Sequence, residues 1–330
     1  MSAAPPHQSS PRREALDYLW NQYRLWDNTS VKLRGGLSFW RRLTLVLAVL
    51  GALAATLSTQ PFVTGLAGGE QPPAGEAGWL SYTPWALGIL SAVFLALTAF
   101  FTQKVLNPEQ EAQWVRARAA AEAFKREAYL LAAHAPPYDA GLPLDTAKEI
   151  NKSLGDLESL PPEEAKPAEP PPECPLTVDG YIASRLDEQV RWYRRRARDH
   201  RGTVNLVGGL TLGLGALAVV LGAVSSDLTA PWVAVITTVM ATLAAYLYAG
   251  RFQYMVVSYL ATARRLEALR ADWKTSGKTD ADATERNQFI LECEGILGAE
   301  NKAWMTELNR RDTTAPSTVV GHPAVRGSGG

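Results

Sequence analysis

The chain has 330 residues, 47% of them hydrophobic, and it carries equal numbers of basic and acidic side chains, 33 of each. This balance gives no overall field that would attract nucleic acid or an acidic substrate, so no nucleic-acid partner is expected. The mean hydropathy of -0.09 would fit a soluble protein, but the apolar residues are concentrated in four blocks and have to be considered block by block.

The N-terminal part predicts a disordered lead followed by a helix. Residues 1–11 are rich in Pro, Ser and Ala and show no periodicity. From Arg12 onward, apolar residues recur at alternating spacings of three and four, which predicts one stripe on a helix that runs toward a membrane and needs a partner helix. The members of this stripe are Leu16, Leu19, Tyr23, Trp26, Ser30, Leu33 and Leu37.

Two uncharged apolar runs follow, residues 43–58 and 80–101. About 20 apolar residues at a rise of ~1.5 Å cross a hydrocarbon core of ~30 Å, so these runs predict two membrane spans that form a helical hairpin. Residues 203–224 and 229–250 repeat the arrangement and predict a second hairpin. The fold class expected from the sequence is an all-α integral membrane protein with four spans and cytoplasmic helical extensions.

A second amphipathic helix follows the first hairpin. Asn107 and Pro108 suit an N-cap and a first helical turn. The apolar stripe of this helix comprises Trp114, Ala117, Ala121, Phe124, Ala128 and Leu131. We expect it to pack antiparallel on the first stripe below the bilayer, either within one subunit or as a seam between subunits.

Residues 135–175 predict a linker between two modules, residues 12–134 and 176–311. Seven of the fifteen residues from Pro161 to Pro175 are proline, which removes backbone donors and favours an extended, semi-rigid segment over a packed one. The two hairpins could therefore be separate modules or two halves of one bundle. Beyond residue 311 the Gly- and Pro-rich tail, residues 312–330, is expected to be disordered.

The second module begins with an arginine-rich helix and ends with an amphipathic one. Residues 181–201 lead into the third span, and a return helix follows the fourth. The final helix is predicted from about Ala283, with one face formed by Phe289, Cys293, Leu297, Asn301, Trp304 and Leu308. Asn301 on this apolar face is expected to fix the register of the helix.

The distribution of basic residues predicts the topology. All 33 lie in three segments, with seven before the first span, fifteen between the hairpins and eleven after Gly250. By the positive-inside rule, we expect a protein of the inner membrane with both termini in the cytoplasm. The predicted headgroup anchors are Arg41, Arg42, Arg201 and Arg251. The arginine run before the third span suits anionic lipid, with a phosphate ligand as the alternative.

Two sequence signatures resemble a known family. The first is the run Tyr181-Ile-Ala-Ser-Arg-Leu-Asp-Glu-Gln-Val-Arg-Trp-Tyr, with Gln189, Trp192 and Tyr193. The second is the ending Phe289-Ile-Leu-Glu-Cys-Glu-Gly-Ile-Leu-Gly-Ala-Glu-Asn-Lys-Ala-Trp304. Together they resemble the SLATT family of paired-span proteins, and residues 12–134 look like a more divergent copy. The resemblance implies a membrane effector of bacterial conflict systems that acts when a nucleotide-generating or nucleotide-sensing partner signals.

The sequence gives no support for an enzyme, a cofactor or a metal site. The four histidines are scattered, the two cysteines lie far apart, and no phosphate-binding loop of the Gly-x-x-x-x-Gly-Lys type occurs. Coupled transport is also disfavoured, because it requires an ionisable residue within a span and the four spans contain none. The two cysteines are expected to be free thiols in a reducing compartment.

Small residues recur every fourth position in three of the spans, which predicts faces for close helix approach. They are Gly209 and Gly213, then Gly88, Ala92 and Ala96, then Thr237, Ala241 and Ala245. Packing within or between the hairpins of one subunit is one interpretation, and self-association into a homo-oligomer is the other. The expected function is that of an effector that acts on the lipid bilayer and could form a pore in it. The alternative is an adaptor that recruits a cytosolic partner through its helical stalks.

Overall fold

The structure, a computed structural model, describes residues 11–66, 82–104, 108–140, 145–153, 170–224, 226 and 228–314. Most of these residues are helical, and none of them is in a strand. The helices are α1 (Pro11–Ser58), α2 (Pro61–Leu66), α3 (Thr83–Lys104), α4 (Pro108–Ala132), α5 (Asp145–Ser153), α6 (Val178–Tyr181), α7 (Asp187–Val224), α8 (Ala230–Gly250), α9 (Phe252–Thr275) and α10 (Ala283–Thr314). A π-helical turn, Ile182–Leu186, connects α6 to α7.

Four helical segments are long and apolar enough to cross a membrane, and they lie in α1, α3, α7 and α8. Their outward side chains are those that a hydrocarbon solvent favours. Leu212 is 76% exposed and Val219 is 72% exposed, which would be costly in water over so large a surface. The predicted all-α membrane fold with four spans is therefore confirmed, and this is a multi-pass membrane protein.

The helices continue beyond the spans on one side as a stalk. α1 and α7 each run without interruption from the stalk into a span. The stalk part of α1 packs on α4, and that of α7 packs on α9, while α10 contacts α9 and α4. The predicted apolar stripes lie in these contacts, since Leu16, Leu19, Phe124, Ala128 and Leu131 are all fully buried. The predicted antiparallel pairing of the first two stripes is confirmed.

The two hairpins form one bundle, a question that the sequence left open. Within the spans, α8 contacts both α7 and α1, and its Val235 and Ile236 are buried. Within the stalk, one core contains residues of both halves, including Phe124 and Tyr129 from the first and Tyr181 and Ile290 from the second. Burial of apolar area from both halves in a common core stabilises their association directly.

The first part of the predicted linker, residues 135–175, packs against the core. Ala135 and Tyr138 are fully buried, and α5 contributes the buried Ala147. Farther along, the Leu176 N–H donates to the Ala132 carbonyl at 2.8 Å. Proline limits helix formation, but it does not prevent the apolar side chains beside a helix end from covering the core. Residues 141–144 and 154–169, which hold much of the predicted linker, lie outside the described residues.

The first hairpin closes around Gly51, a glycine that the small-residue spacing did not single out. Ser91 Oγ of α3 donates to the Gly51 carbonyl at 2.9 Å. A Cβ added at Gly51 would lie 3.0 Å from the Leu95 side chain and 3.4 Å from Phe94 Cβ. The lack of a side chain therefore lets α1 and α3 approach closely enough for this interhelical hydrogen bond.

Gly51→Leu is expected to destabilise the protein by about 1–3 kcal/mol, because the added side chain overpacks the contact with Leu95. The measurement is thermal unfolding in detergent, with Gly88→Leu as the control, since a Cβ at Gly88 meets no heavy atom within 4 Å. Equal stability losses in the two variants would contradict a specific role for Gly51.

Candidate functional site

A group of buried charges joins the two halves of the stalk. At its centre, the side chains of Arg185 and Glu294 are each only 1% exposed. Arg185 Nε donates to Glu294 Oε1 at 3.0 Å, and Arg185 Nη2 donates to Glu294 Oε2 at 3.1 Å. This two-pronged geometry is the strongest that an arginine can form with a carboxylate. It connects the π-helical turn before α7 with α10.

The π-helical turn positions two side chains on the same carboxylate. Tyr181 immediately precedes the turn, and its hydroxyl donates to Glu294 Oε1 at 2.8 Å. Arg185 lies within the turn, so both donors reach Glu294 from one short segment. Thr177 caps the preceding helix, since its hydroxyl accepts from the Gly180 N–H. Single π-turns inside helices often occur at functional sites, because they reorient side chains at a cost in backbone regularity.

Side chains from the first half of the sequence extend this ion pair into a series of alternating charges. Arg185 Nη1 lies 3.8 Å from Glu122 Oε2 in α4. Glu122 in turn pairs with Arg118 at 2.6 Å, and Arg118 pairs with Asp27 of α1 at 3.2 Å. The charges therefore alternate from α1 through α4 and the π-helical turn to α10.

Aromatic side chains cover the charged groups. The Arg185 guanidinium lies over the Tyr129 ring at 5.2 Å, and the Tyr129 hydroxyl donates to the Ser184 carbonyl at 3.2 Å. Lys125 lies over the Tyr23 ring at 4.9 Å and donates to its hydroxyl at 3.3 Å. Such cation–π contacts are strengthened when the cation is removed from water.

The charged groups keep one another ionised despite their burial. Burial opposes the charge of Arg185, but Glu294 and Glu122 outweigh it and raise the pKa of Arg185 well above its usual value. Burial also acts to raise the pKa of Glu122, yet Arg118, Arg185 and Lys125 together lower it. We call this set the ionic cluster; it balances three cations, Arg118, Lys125 and Arg185, with three carboxylates, Asp27, Glu122 and Glu294.

The ionic cluster holds the two halves together and offers no surplus charge to a ligand. Removal of one member would leave its partner charged and buried, which is strongly unfavourable. Among the described residues, no group of three or more His, Cys, Asp and Glu side chains could hold a metal ion. The arrangement therefore suits a structural connection that fixes how one half sits on the other.

Sequence reasoning missed the ionic cluster, although both signatures contain part of it. Arg185 and Glu294 lie in the two quoted runs, one beside Leu186 and the other beside Cys293, on faces that are otherwise apolar. Opposite charges on two predicted buried faces were the available signal. Of the predicted signature residues, Gln189 and Tyr193 are buried and Trp192 is half-buried. The side chains of Asn301 and Trp304 lie outside the described residues, so the predicted register role of Asn301 remains a prediction.

The four predicted headgroup anchors have different surroundings. Arg42 and Arg201 are exposed, whereas Arg41 pairs with Glu111 of α4 at 3.2 Å. Arg251 separates α8 from α9 and has a left-handed backbone with φ of 48°. A Cβ at the neighbouring Gly250 would collide with the Phe252 ring, so a larger residue there would require that ring to shift. The sequence predicted a charge at this site but not the turn.

The small-residue faces point outward from the bundle. Of the eight predicted positions, Gly88 is half-exposed. The other seven are exposed, namely Gly209, Gly213, Ala92, Ala96, Thr237, Ala241 and Ala245. A Cβ placed at Gly88, Gly209 or Gly213 meets no heavy atom within 4 Å. Packing inside one subunit therefore does not use these faces, and they are open to the bilayer.

Comparison with known families gives two matches along the chain. Residues 181–304 match the family model described as SMODS and SLOG-associating 2TM effector domain 1. Residues 26–142 match a separate model, described as a protein of unknown function (DUF4231). Neither curated proteins nor solved structures gave a match. The two halves share the same order of helices. In each, a stalk helix continues into a span, and a return helix packs on the stalk.

Proposed function

We propose that this protein is an effector whose subunits assemble in the membrane and open a pore. The match of residues 181–304 to the SMODS and SLOG-associating two-transmembrane effector family supports this role. The proposal extends to a role in bacterial conflict, including defence against phage, with the stalk receiving the signal from a nucleotide-generating or nucleotide-sensing partner. The membrane spans would then form the pore that opens in response to this signal.

The observation that supports assembly is the set of small-residue faces left open by the subunit. In hydrocarbon, helix association depends on close van der Waals packing, which small residues at every fourth position permit. Three of the four spans have such a face, and none of the three is covered within the subunit. A protein that acted as a monomer would have no need for smooth faces toward lipid.

The spans restrict what kind of pore could form. The apolar runs contain no Asp, Glu, Lys, Arg or His, so a single subunit provides no charged lumen. Thr237 and Thr242 of α8 direct their hydroxyls to the carbonyls of Val233 and Thr238 at 2.8 Å. A pore lined by such residues would be weakly polar and would close by dewetting until the stalk changes conformation.

The test is dye release from liposomes that contain the purified protein, together with membrane potential in cells that express it. An effector is expected to release dye and collapse the potential once it has assembled. The alternative, an adaptor that recruits a cytosolic partner through its stalk, predicts an intact potential and no release. Stable oligomers that never release dye would overturn the pore and favour the adaptor.

The proposed orientation places the stalk in the cytoplasm, and thiol labelling can test it. Cys174 is partly exposed in the stalk, whereas Cys293 is buried. Burial raises the pKa of both thiols, so labelling needs a small maleimide and long reaction times. We expect an impermeant maleimide to modify Cys174 only after cell permeabilisation, and Cys293 only after denaturation. Labelling of Cys174 in intact cells would reverse the topology.

A further inference from the structure

A second group of basic side chains lies between the ionic cluster and the membrane. Among the described residues, one exposed aspartate is the acidic side chain that opposes its charge. It consists of Arg34 in α1 together with Arg196 and His200 in α7. The cations that act on Arg34 are Arg196 and Arg118, and those that act on His200 are Arg34 and Arg196. The exposed aspartate is Asp199, which opposes this charge at His200.

Arg34 and Arg196 contact aromatic rings and form no ion pair with a carboxylate among the residues that the structure describes. Arg34 lies over the Trp114 ring at 5.7 Å, and Arg196 lies over the Trp192 ring at 5.8 Å. Both are only half-exposed. Arg118 lies over the same Trp192 ring, but it has two carboxylate partners in the ionic cluster. The rings hold the Arg34 and Arg196 guanidinium groups in place and leave their donors available.

His200 adds a buried nitrogen to this group. Its Nε2 atom is buried and has no hydrogen-bond partner within the described part of the chain. The ring lies between Phe252 and Tyr259, with centroids 5.3 and 5.9 Å away. Burial, and then Arg34 and Arg196, lower the pKa of His200 and keep it neutral at neutral pH. A buried polar atom without a partner is costly, and such atoms call for an explanation.

The group lies at the depth of lipid headgroups. Arg34 precedes the first apolar run by nine positions, and Arg196 and His200 precede the third by seven and three. At a rise of about 1.5 Å per residue, all three lie within about 14 Å of the hydrocarbon edge. A site at this depth is reachable both from the cytoplasmic leaflet and from solution.

We propose that Arg34, Arg196 and His200 form a binding site for a phosphate group, supplied either by an anionic lipid or by a soluble phosphate ester. The planar forks of two arginines match the oxygens of phosphate, and an imidazole N–H provides a further donor. The anion would offset the repulsion between the two guanidinium groups. Because α1 belongs to the first half and α7 to the second, a bound phosphate would hold the halves together near the membrane.

This proposal concerns binding alone and does not depend on whether the assembled spans open a pore. The test uses the full chain in neutral detergent, with thermal unfolding followed by tryptophan fluorescence. Pyrophosphate is compared with chloride at equal ionic strength, and micelles with phosphatidylglycerol are compared with micelles containing phosphatidylcholine. We expect at least one of the two phosphate probes to raise the unfolding midpoint by about 2 °C or more.

The variant Arg34→Gln with Arg196→Gln is expected to weaken the response, with the apparent affinity falling about tenfold or more for each arginine. The control is Arg264→Gln with Arg265→Gln, which removes the same charge from two exposed positions of α9 that are not among the predicted headgroup anchors. Its response should equal that of the unmodified protein. Should the glutamine pair not accumulate, the lysine pair, Arg34→Lys with Arg196→Lys, keeps the charge and should show a smaller weakening.

The probes distinguish the two sources of phosphate. A shift with phosphatidylglycerol alone identifies a lipid site, and a shift with pyrophosphate alone identifies a soluble ligand. The proposal is overturned if neither probe exceeds its control, or if the glutamine pair responds as strongly as the exposed control pair.

Discussion

Arg185→Met is expected to lower the free energy of unfolding by about 3–5 kcal/mol, because it leaves the Glu294 carboxylate buried without its cation. Two hydrogen bonds disappear with the guanidinium, at 3.0 and 3.1 Å, and so does its contact with Glu122. The loss should be measured by chemical unfolding in detergent. Its size would make the variant one of the least stable that a single substitution in the stalk can produce.

Two further variants separate the buried pair from a general effect of lost charge. Arg194→Met breaks an ion pair with Glu267 at 2.7 Å, but the Arg194 side chain is 56% exposed, so a loss below about 1 kcal/mol is expected. Arg185→Met combined with Glu294→Leu removes both buried charges and should recover more than half of the stability. A double variant as unstable as Arg185→Met alone would show that packing, and not the unpaired carboxylate, dominates the loss.

Gly213→Leu is expected to abolish higher oligomers and any dye release, while the protein still inserts into the membrane. Leucine is favourable in hydrocarbon, and a Cβ at Gly213 meets no atom of the same subunit within 4 Å, so the subunit itself should fold normally. Between subunits, the added side chain would separate helices that Gly209 and Gly213 allow to meet. The expected cost to association is about 1–3 kcal/mol per contact. Mass photometry and liposome leakage are the two measurements.

Gly208→Leu is the matched control for this face. Gly208 directly precedes Gly209 and is exposed, and a Cβ added there also meets no heavy atom within 4 Å. It lies on a different side of the helix from the Gly209–Gly213 line, because successive helical residues point in different directions. This variant should assemble and release dye normally. If Gly213→Leu still releases dye, this face of α7 is not the contact between subunits. The next faces to test would be that of α3 at Gly88, Ala92 and Ala96 and that of α8 at Thr237, Ala241 and Ala245.

The ionic cluster and the open faces suggest a division of tasks within the subunit. Arg185, Glu294 and Glu122 fix the two halves of the stalk to each other, which would give the proposed partner a rigid body on which to act. The small-residue faces of the spans point outward, which leaves them free for the proposed assembly. A signal that shifted α10 would act on the ionic cluster through Glu294, since α10 is the helix that carries this carboxylate.

Local sequence patterns were sufficient to predict the spans, the stalk helices and the resemblance of the second module to a known family. These features follow from local patterns, because an uncharged run of span length has few alternatives and a spacing of three and four defines one helix face. The breaks at Ser58, Val224 and Gly250 agree with the apolar runs for this reason. The signatures at Tyr181 and Phe289 were equally local.

The three-dimensional arrangement was needed to show which of these features contact one another. The pairing of Arg185 with Glu294 joins positions 109 residues apart, and a helix pattern shows which face is buried but not what covers it. The same limit applies to Gly51 and Gly213, which have similar small-residue surroundings in sequence. Contact with Ser91 and Leu95 places Gly51 inside the hairpin, whereas Gly213 stays open. Close helix approach depends on the partner surface, and that surface comes from a distant part of the chain.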